Sequence, residues 1–130
     1  MKVIKLTLSV LLIFLLAACG RVQPVLNVEN TPVAYNLQSD QIKLAITQAA
    51  LQRGWVIQEI EPGLLDAKIS VRNHFAEIHI PYNEKYYSIL YVRSENLKAD
   101  DGSIHRNYNR WVNNLNVDIK KQLAQAAAAQ

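Results

Sequence analysis

The sequence predicts an α+β domain in the order α-β-β-β-β-α: a four-stranded antiparallel meander with both helices packed on one face. Three patterns predict it. Ile42, Ala45, Ile46 and Ala49 recur at helical spacing. Between Trp55 and Arg93, apolar and polar residues alternate in runs of strand length divided by turn residues. A second, longer helical stripe follows Gly102. Strands gathered between two helices give segregated layers rather than a parallel α/β sheet.

The first helix is expected over residues 39–53. Ser39 suits the N-cap, Asp40 favours the positive end of the helix dipole, and Gly54 follows directly on Arg53 as a C-terminal glycine. Ala45, Ala49 and Ala50 are small enough to bring the helix close to a sheet, whereas Leu44 and Leu51 fall off the stripe.

Trp55 to Ile60 forms the first strand, ending at the turn Glu61-Pro62-Gly63. Trp55 and Ile57 compete there with Val56 and Ile60 for the core face. Leu65, Ala67, Ile69 and Val71 then alternate with Asp66, Lys68, Ser70 and Arg72. A two-residue loop at Asn73-His74 sets Ile69 opposite Ile78 and Val71 opposite Ala76, with Lys68 beside His79 and Ser70 beside Glu77. Asn83-Glu84-Lys85 turns the chain into Tyr86–Arg93. There Tyr82 faces Tyr87, Ile80 faces Ile89 and Ile78 faces Tyr91. Residues 94–102 read as a loop.

Ser103 is placed to cap the last helix, whose stripe is Ile104, Tyr108, Trp111, Val112, Leu115, Ile119 and Leu123. The single domain is thus expected over 39–125, with the alanine-rich residues 126–130 as a frayed tail. Residues 19–38 hold two prolines and no lasting period. They read as a tether ending in a short strand near Val33–Tyr35.

The first eighteen residues have a different character. Lys2 and Lys5 precede an apolar run from Leu6 to Ala18, which is shorter than the roughly 20 residues a membrane-crossing helix needs. A basic start, a short apolar core and small residues at its end make a signal peptide. Leu16-Ala17-Ala18-Cys19 reads as a lipobox, which implies cleavage before Cys19 and acyl chains such as diacylglycerol and palmitate on it. Two or three chains hold a protein on a membrane where one does so only marginally. Asp next to a lipidated cysteine is a retention signal for the inner membrane. Gly20 and Arg21 stand here instead, so the outer membrane, facing the periplasm, is expected, with the inner membrane as the alternative.

Cleavage would leave 112 of the 130 residues, one domain's worth. Of the 14 basic residues, Lys2 and Lys5 fall in the leader, so 12 face 11 acids in the remainder. Such balance is no footprint for nucleic acid. Cys19 is the sole cysteine, so no disulfide framework exists and packing must supply the stability.

Several strings occur in order along residues 39–123: Arg53-Gly54-Trp55, Pro62-Gly63, His74-x-Ala76-x-Ile78, Tyr87-Ser88-Ile89-x-Tyr91, Ser94-x-Asn96-Leu97 and Ile104-His105-Arg106-Asn107-Tyr108-Asn109-Arg110-Trp111. With the lipobox they resemble a small, functionally uncharacterised family of lipoproteins of Gram-negative bacteria. The resemblance implies the fold and the location, and it carries over no catalytic residue.

Candidate chemistry is sparse. His74 belongs to a turn, His79 to the polar face of a strand and His105 to the first turn of the last helix. None has the close, repeated spacing of zinc ligands. Asp66 and Glu77 share a face with Lys68, Arg72 and His79, a pattern that suits a solvated charge ladder better than acid–base catalysis. No nucleophile motif and no phosphate-cradling glycine loop is present. Tyr82, Tyr86, Tyr87, Tyr91, Tyr108 and Trp111 cluster as core packing with a share left for binding. Asn107 and Asn109 are expected to bond the 94–101 loop.

The expectation is therefore a non-enzymatic accessory or interaction module of the cell envelope. It would use no catalytic residue, metal, cofactor or nucleic acid, and it would pair with another envelope protein or with itself. The candidate binding surface is Tyr86, Leu90 and Val92 on an exposed edge strand, together with Glu77 and His79. The alternative is a hydrolase or glycan-binding domain directed at the cell wall or envelope, using Glu77, His79 and the open sheet face.

Overall fold

The computed structural model describes residues 21–130. The expected signal peptide and lipidation site, Cys19, lie outside the described residues. The chain forms β1 (Val22–Pro24), β2 (Val28–Pro32), α1 (Ser39–Gln52), β3 (Val56–Glu61), β4 (Leu64–Val71), β5 (His74–Pro81), β6 (Tyr86–Glu95), β7 (Ser103–His105) and α2 (Arg106–Ala128). The expected α+β architecture is present: β3 to β6 form the antiparallel meander, and the two helices pack on its apolar face. Among the described residues no helix is long and apolar enough to cross a membrane.

The sheet has five strands in the order β2-β6-β5-β4-β3, with a separate two-stranded ribbon of β1 and β7. From Arg21 onward, the stretch read as a tether is thus folded. Val22 pairs with His105, Val28 with Ile89 and Thr31 with Tyr87. Val33 and Leu37 are buried in the core, and Val33–Tyr35 is not a strand. These strands are three and five residues long and lie at edges, where proline is tolerated because one side of the strand needs no N–H donor. Asn30 takes a positive φ of 51° where the β2–β6 register shifts, and its N–H donates to Ser88 Oγ at 2.9 Å.

That pairing also corrects the expected edge. β6 lies inside the sheet, flanked by β2 and β5, so the open edges are β2 and β3. The β4–β5 register is also displaced from the expected one. Arg72, not His74, occupies the tight loop with φ 57°, and Ile69 faces Ala76 while Ala67 faces Ile78. Tyr82 opposite Tyr87 and Ile78 opposite Tyr91 are as expected.

α1 begins one residue after Gln38, whose N–H donates to Gln41 Oε1 at 2.9 Å. It buries Ile42, Ala45, Ile46, Ala49 and Ala50. α2 starts later than Ser103, because Ser103–His105 is taken by β7. His105 is the N-cap, and its Nδ1 accepts from the Asn107 N–H at 3.2 Å. α2 then runs to Ala128, so the alanine-rich tail is helical rather than frayed. Leu123 is buried, and Ala126 and Ala127 pack against the core. Arg53 at the end of α1 bridges to Asp118 on α2.

Candidate functional site

β4 and β5 turn Leu65, Ala67, Ile78 and Ile80 toward the helices, so the alternating residues face the other way. On that outer face Asp66 stands directly opposite His79 and Lys68 opposite Glu77. β6 adds Arg93 beside Glu77, because a bulge at Val92 shifts the alternation by one residue and turns Arg93 to the outer face. The result is a compact polar cluster: Asp66, Lys68, Glu77, His79 and Arg93.

The contacts within it are specific. Arg93 Nε donates to Glu77 Oε1 at 2.7 Å, and its guanidinium carbon lies 4.7 Å from the Phe75 ring centroid. Lys68 Nζ is 3.9 Å from both Asp66 and Glu77. His79 Nε2 is 3.3 Å from Asp66 Oδ1. Asp66 is only 4% exposed although it lies on the uncovered face, and its Oδ1 has no hydrogen-bond partner among the described residues. Burial, with the adjacent Glu77, pushes the Asp66 carboxyl up to about 6. Its interaction with Asp66, then Arg93 and Lys68, holds Glu77 below the usual carboxylate range.

Asp66, Glu77 and His79 each offer one ligand atom, all within 4.8 Å of one another, and they are the residues that could hold a cation. Two carboxylates already meet two cations, however, with Lys68 against both. An incoming divalent ion would have to displace that ammonium. Chemically the cluster is an ion-pair ladder containing one desolvated carboxyl.

The other expected surface residues are separated by the fold. Leu90 faces His79 across β5–β6, Val92 is the exposed bulge residue, and Tyr86 is 46% exposed at the far end of β6. Tyr86 lines a cleft of about 140 Å³ with Asn30, Tyr82 and Ser88. Larger clefts of about 340 Å³ and 390 Å³ lie between α1 and the end of α2 and around Asn36, Gln41 and Glu84. A fourth, of about 310 Å³, is bounded by Gln52, Asp118 and Lys121. None of the four is lined by Glu77 or His79.

The aromatic cluster divides the same way. Tyr87 and Tyr108 are fully buried, Tyr82 is nearly so, and Tyr91 meets Tyr108 edge-on at 5.4 Å. Trp111 is only half-buried, and the core tryptophan is Trp55. The Asn-rich start of α2 bonds a different segment from the one expected. Asn109 Nδ2 donates to Pro24 O at 2.9 Å, and Asn109 Oδ1 accepts from the Leu26 N–H at 3.0 Å.

No family model, curated protein or solved structure matches this chain.

Proposed function

We propose that this chain is a lipoprotein of the bacterial envelope, acylated on Cys19, held on the periplasmic side of the outer membrane and acting as a non-enzymatic interaction module. The observation that carries the reading is Leu16-Ala17-Ala18-Cys19 at the end of a 13-residue apolar run from Leu6 to Ala18. The outer sheet face supports the non-enzymatic part of it, because Glu77 there is engaged by Arg93 rather than held as a protonated acid.

One observation favours a second reading, a hydrolase of envelope material. Asp66 and Glu77 are pushed in opposite directions, as an acid and its partner base would be. Against it stands the engagement of Glu77 by two cations, Arg93 and Lys68.

In-cell crosslinking of the tagged, full-length protein, followed by mass spectrometry, tests the first reading. A Trp55→Ala variant serves as the misfolded control, because Trp55 is 1% exposed. One dominant envelope partner, lost in the control, is the expected result. If no partner is enriched while purified protein releases fragments from cell-wall material, and Glu77→Gln abolishes that release, the second reading replaces it.

A further inference from the structure

The chain leaves Cys19 and enters the fold almost at once. Cys19 is two residues from Arg21, a span of at most about 7 Å. Arg21 is already tied in: its carbonyl accepts from the Arg106 N–H at 2.9 Å, and Val22 pairs with His105. The same end of the molecule gathers other basic residues. The His105 N–H donates to Leu97 O at 2.8 Å, which brings up Lys98. His74 Nδ1 lies 2.6 Å from Asn96 O, and Asn96 Nδ2 donates to Asn73 O at 2.7 Å, which fixes the β4–β5 hairpin beside them.

Lys43, Arg53, Lys68 and Arg93 each bridge to a carboxylate. Arg72, Lys85, Arg110, Lys120 and Lys121 do not, but Arg21, Lys98 and Arg106 differ from these in converging on His105, at the end where the chain arrives from Cys19. Among the described residues no carboxylate lies within salt-bridge distance of Arg21, Lys98 or Arg106, and all three are exposed. Of the acids nearest in sequence, Asp100 pairs with Ser103 at the opposite end of β7 from His105, Asp101 follows it in the turn, and Glu95 lies 3.9 Å from Arg93. Burial and the positive charges of Lys98, Arg106 and Arg21 hold His105 below its usual range.

We propose that the Arg21–Lys98–Arg106 end of the domain docks on an anionic phospholipid surface, so that the domain lies against the membrane instead of hanging from a tether. The proposal rests on the reading of Cys19 as the acylated residue. Acyl chains so close to Arg21 keep the patch at high effective concentration against the lipid headgroups. The bilayer surface then supplies the negative charge the patch lacks. A domain on a flexible tether of some twenty residues would have no such fixed orientation.

The test is amine-reactive labelling of the mature protein purified from membranes, read by peptide mass spectrometry. The protein is reconstituted into phosphatidylcholine vesicles with or without phosphatidylglycerol. Lys120 and Lys121 serve as internal references, since α2 places them roughly 20 Å from Arg106. Labelling of Lys98 should fall about threefold or more relative to them in the anionic vesicles only. It should recover at about 1 M salt, where the screening length is about 3 Å, and in the Arg21→Gln, Arg106→Gln double variant. Equal labelling of Lys98 in both vesicle types would overturn the proposal. The Cys19 peptide mass reports acylation separately. If it is unmodified, the anchor reading fails, and sedimentation of the same protein with anionic vesicles at low salt decides the patch. Pelleting upholds it, and no pelleting rejects it.

Discussion

Asp66 Oδ1 lies 3.3 Å from His79 Nε2 across β4 and β5, on the face of the sheet that no helix covers. The carboxyl is nevertheless almost fully buried, screened by its neighbours on the same face. A desolvated carboxyl on an open face is an unusual combination, and it makes the stability of the domain depend on pH.

Asp66→Asn should flatten that dependence. The carboxyl rises from 3.8 to about 6 on folding. Between these values the unfolded chain gives up the proton while the folded chain keeps it, so stability falls as pH rises through the interval. Above about pH 6 the full penalty, on the order of 3 kcal/mol, persists. Glu77 runs the other way: its depressed value contributes stability above 4.5 that is lost as pH falls below that point. Urea unfolding at a series of pH values should show the variant gaining on the parent from pH 4 to 6, then holding a constant lead. Parallel curves for the two proteins would refute this account of Asp66.

The sequence could show this cluster only in part, and the reason is a single turn. Alternation from Leu65 to Val71 and from Ala76 to Ile80 identifies both strands and their polar faces whatever the loop. The partners across the pair depend on which residues make the turn. Asn73-His74 is the more conventional choice, but Arg72 accepts φ 57° and becomes part of the loop. The pairing shifts by two residues, which preserves the faces. Asp66 thereby comes beside His79 and Lys68 beside Glu77. The strands β1 and β2 were hidden for another reason. They are too short for a period to show, and part of their support comes from distant partners such as Asn109. The helices were legible because each carries its own stripe over two or more turns.

Asn109→Ala should release the N-terminal arm. Its side chain donates to Pro24 O and Gln23 Oε1 and accepts from Leu26 N–H. Alanine would leave the Leu26 donor and the Pro24 acceptor without partners, at a cost of about 2 kcal/mol. Limited proteolysis offers a local readout. Cleavage within residues 21–27 should accelerate well before global unfolding, whereas an unchanged digestion pattern would mean that β7 alone holds the arm.

Two tyrosines should respond oppositely to loss of their hydroxyl. Tyr87 donates to Asn116 Oδ1 across the sheet–helix interface, so Tyr87→Phe should cost about 1 kcal/mol. The Tyr108 hydroxyl is buried with no hydrogen-bond partner among the described residues. Tyr108→Phe removes that group, keeps the edge-on contact with Tyr91, and should be neutral or stabilising by up to about 1 kcal/mol. Urea midpoints of the two variants, measured side by side, check the sign of each. Equal destabilisation would show that Tyr108 has a bonded partner after all.

The tryptophans should separate more widely. Trp55 sits at the junction of α1 and β3, and its N–H donates to Ala50 O at 3.0 Å, which closes the helix end. Its side chain is enclosed by the core, so Trp55→Ala leaves a large void and should cost about 3–5 kcal/mol. For a domain of this size that is a large part of the total stability. Trp111 lies on the margin of the α2 stripe with part of its ring in solvent. Trp111→Ala exposes less apolar surface and opens no enclosed cavity, so a loss of about 1–2 kcal/mol is expected. Thermal unfolding should therefore show a cooperative transition at reduced temperature for Trp111→Ala, and little or none for Trp55→Ala. The reverse order would place the centre of the core beside α2 rather than between α1 and the sheet.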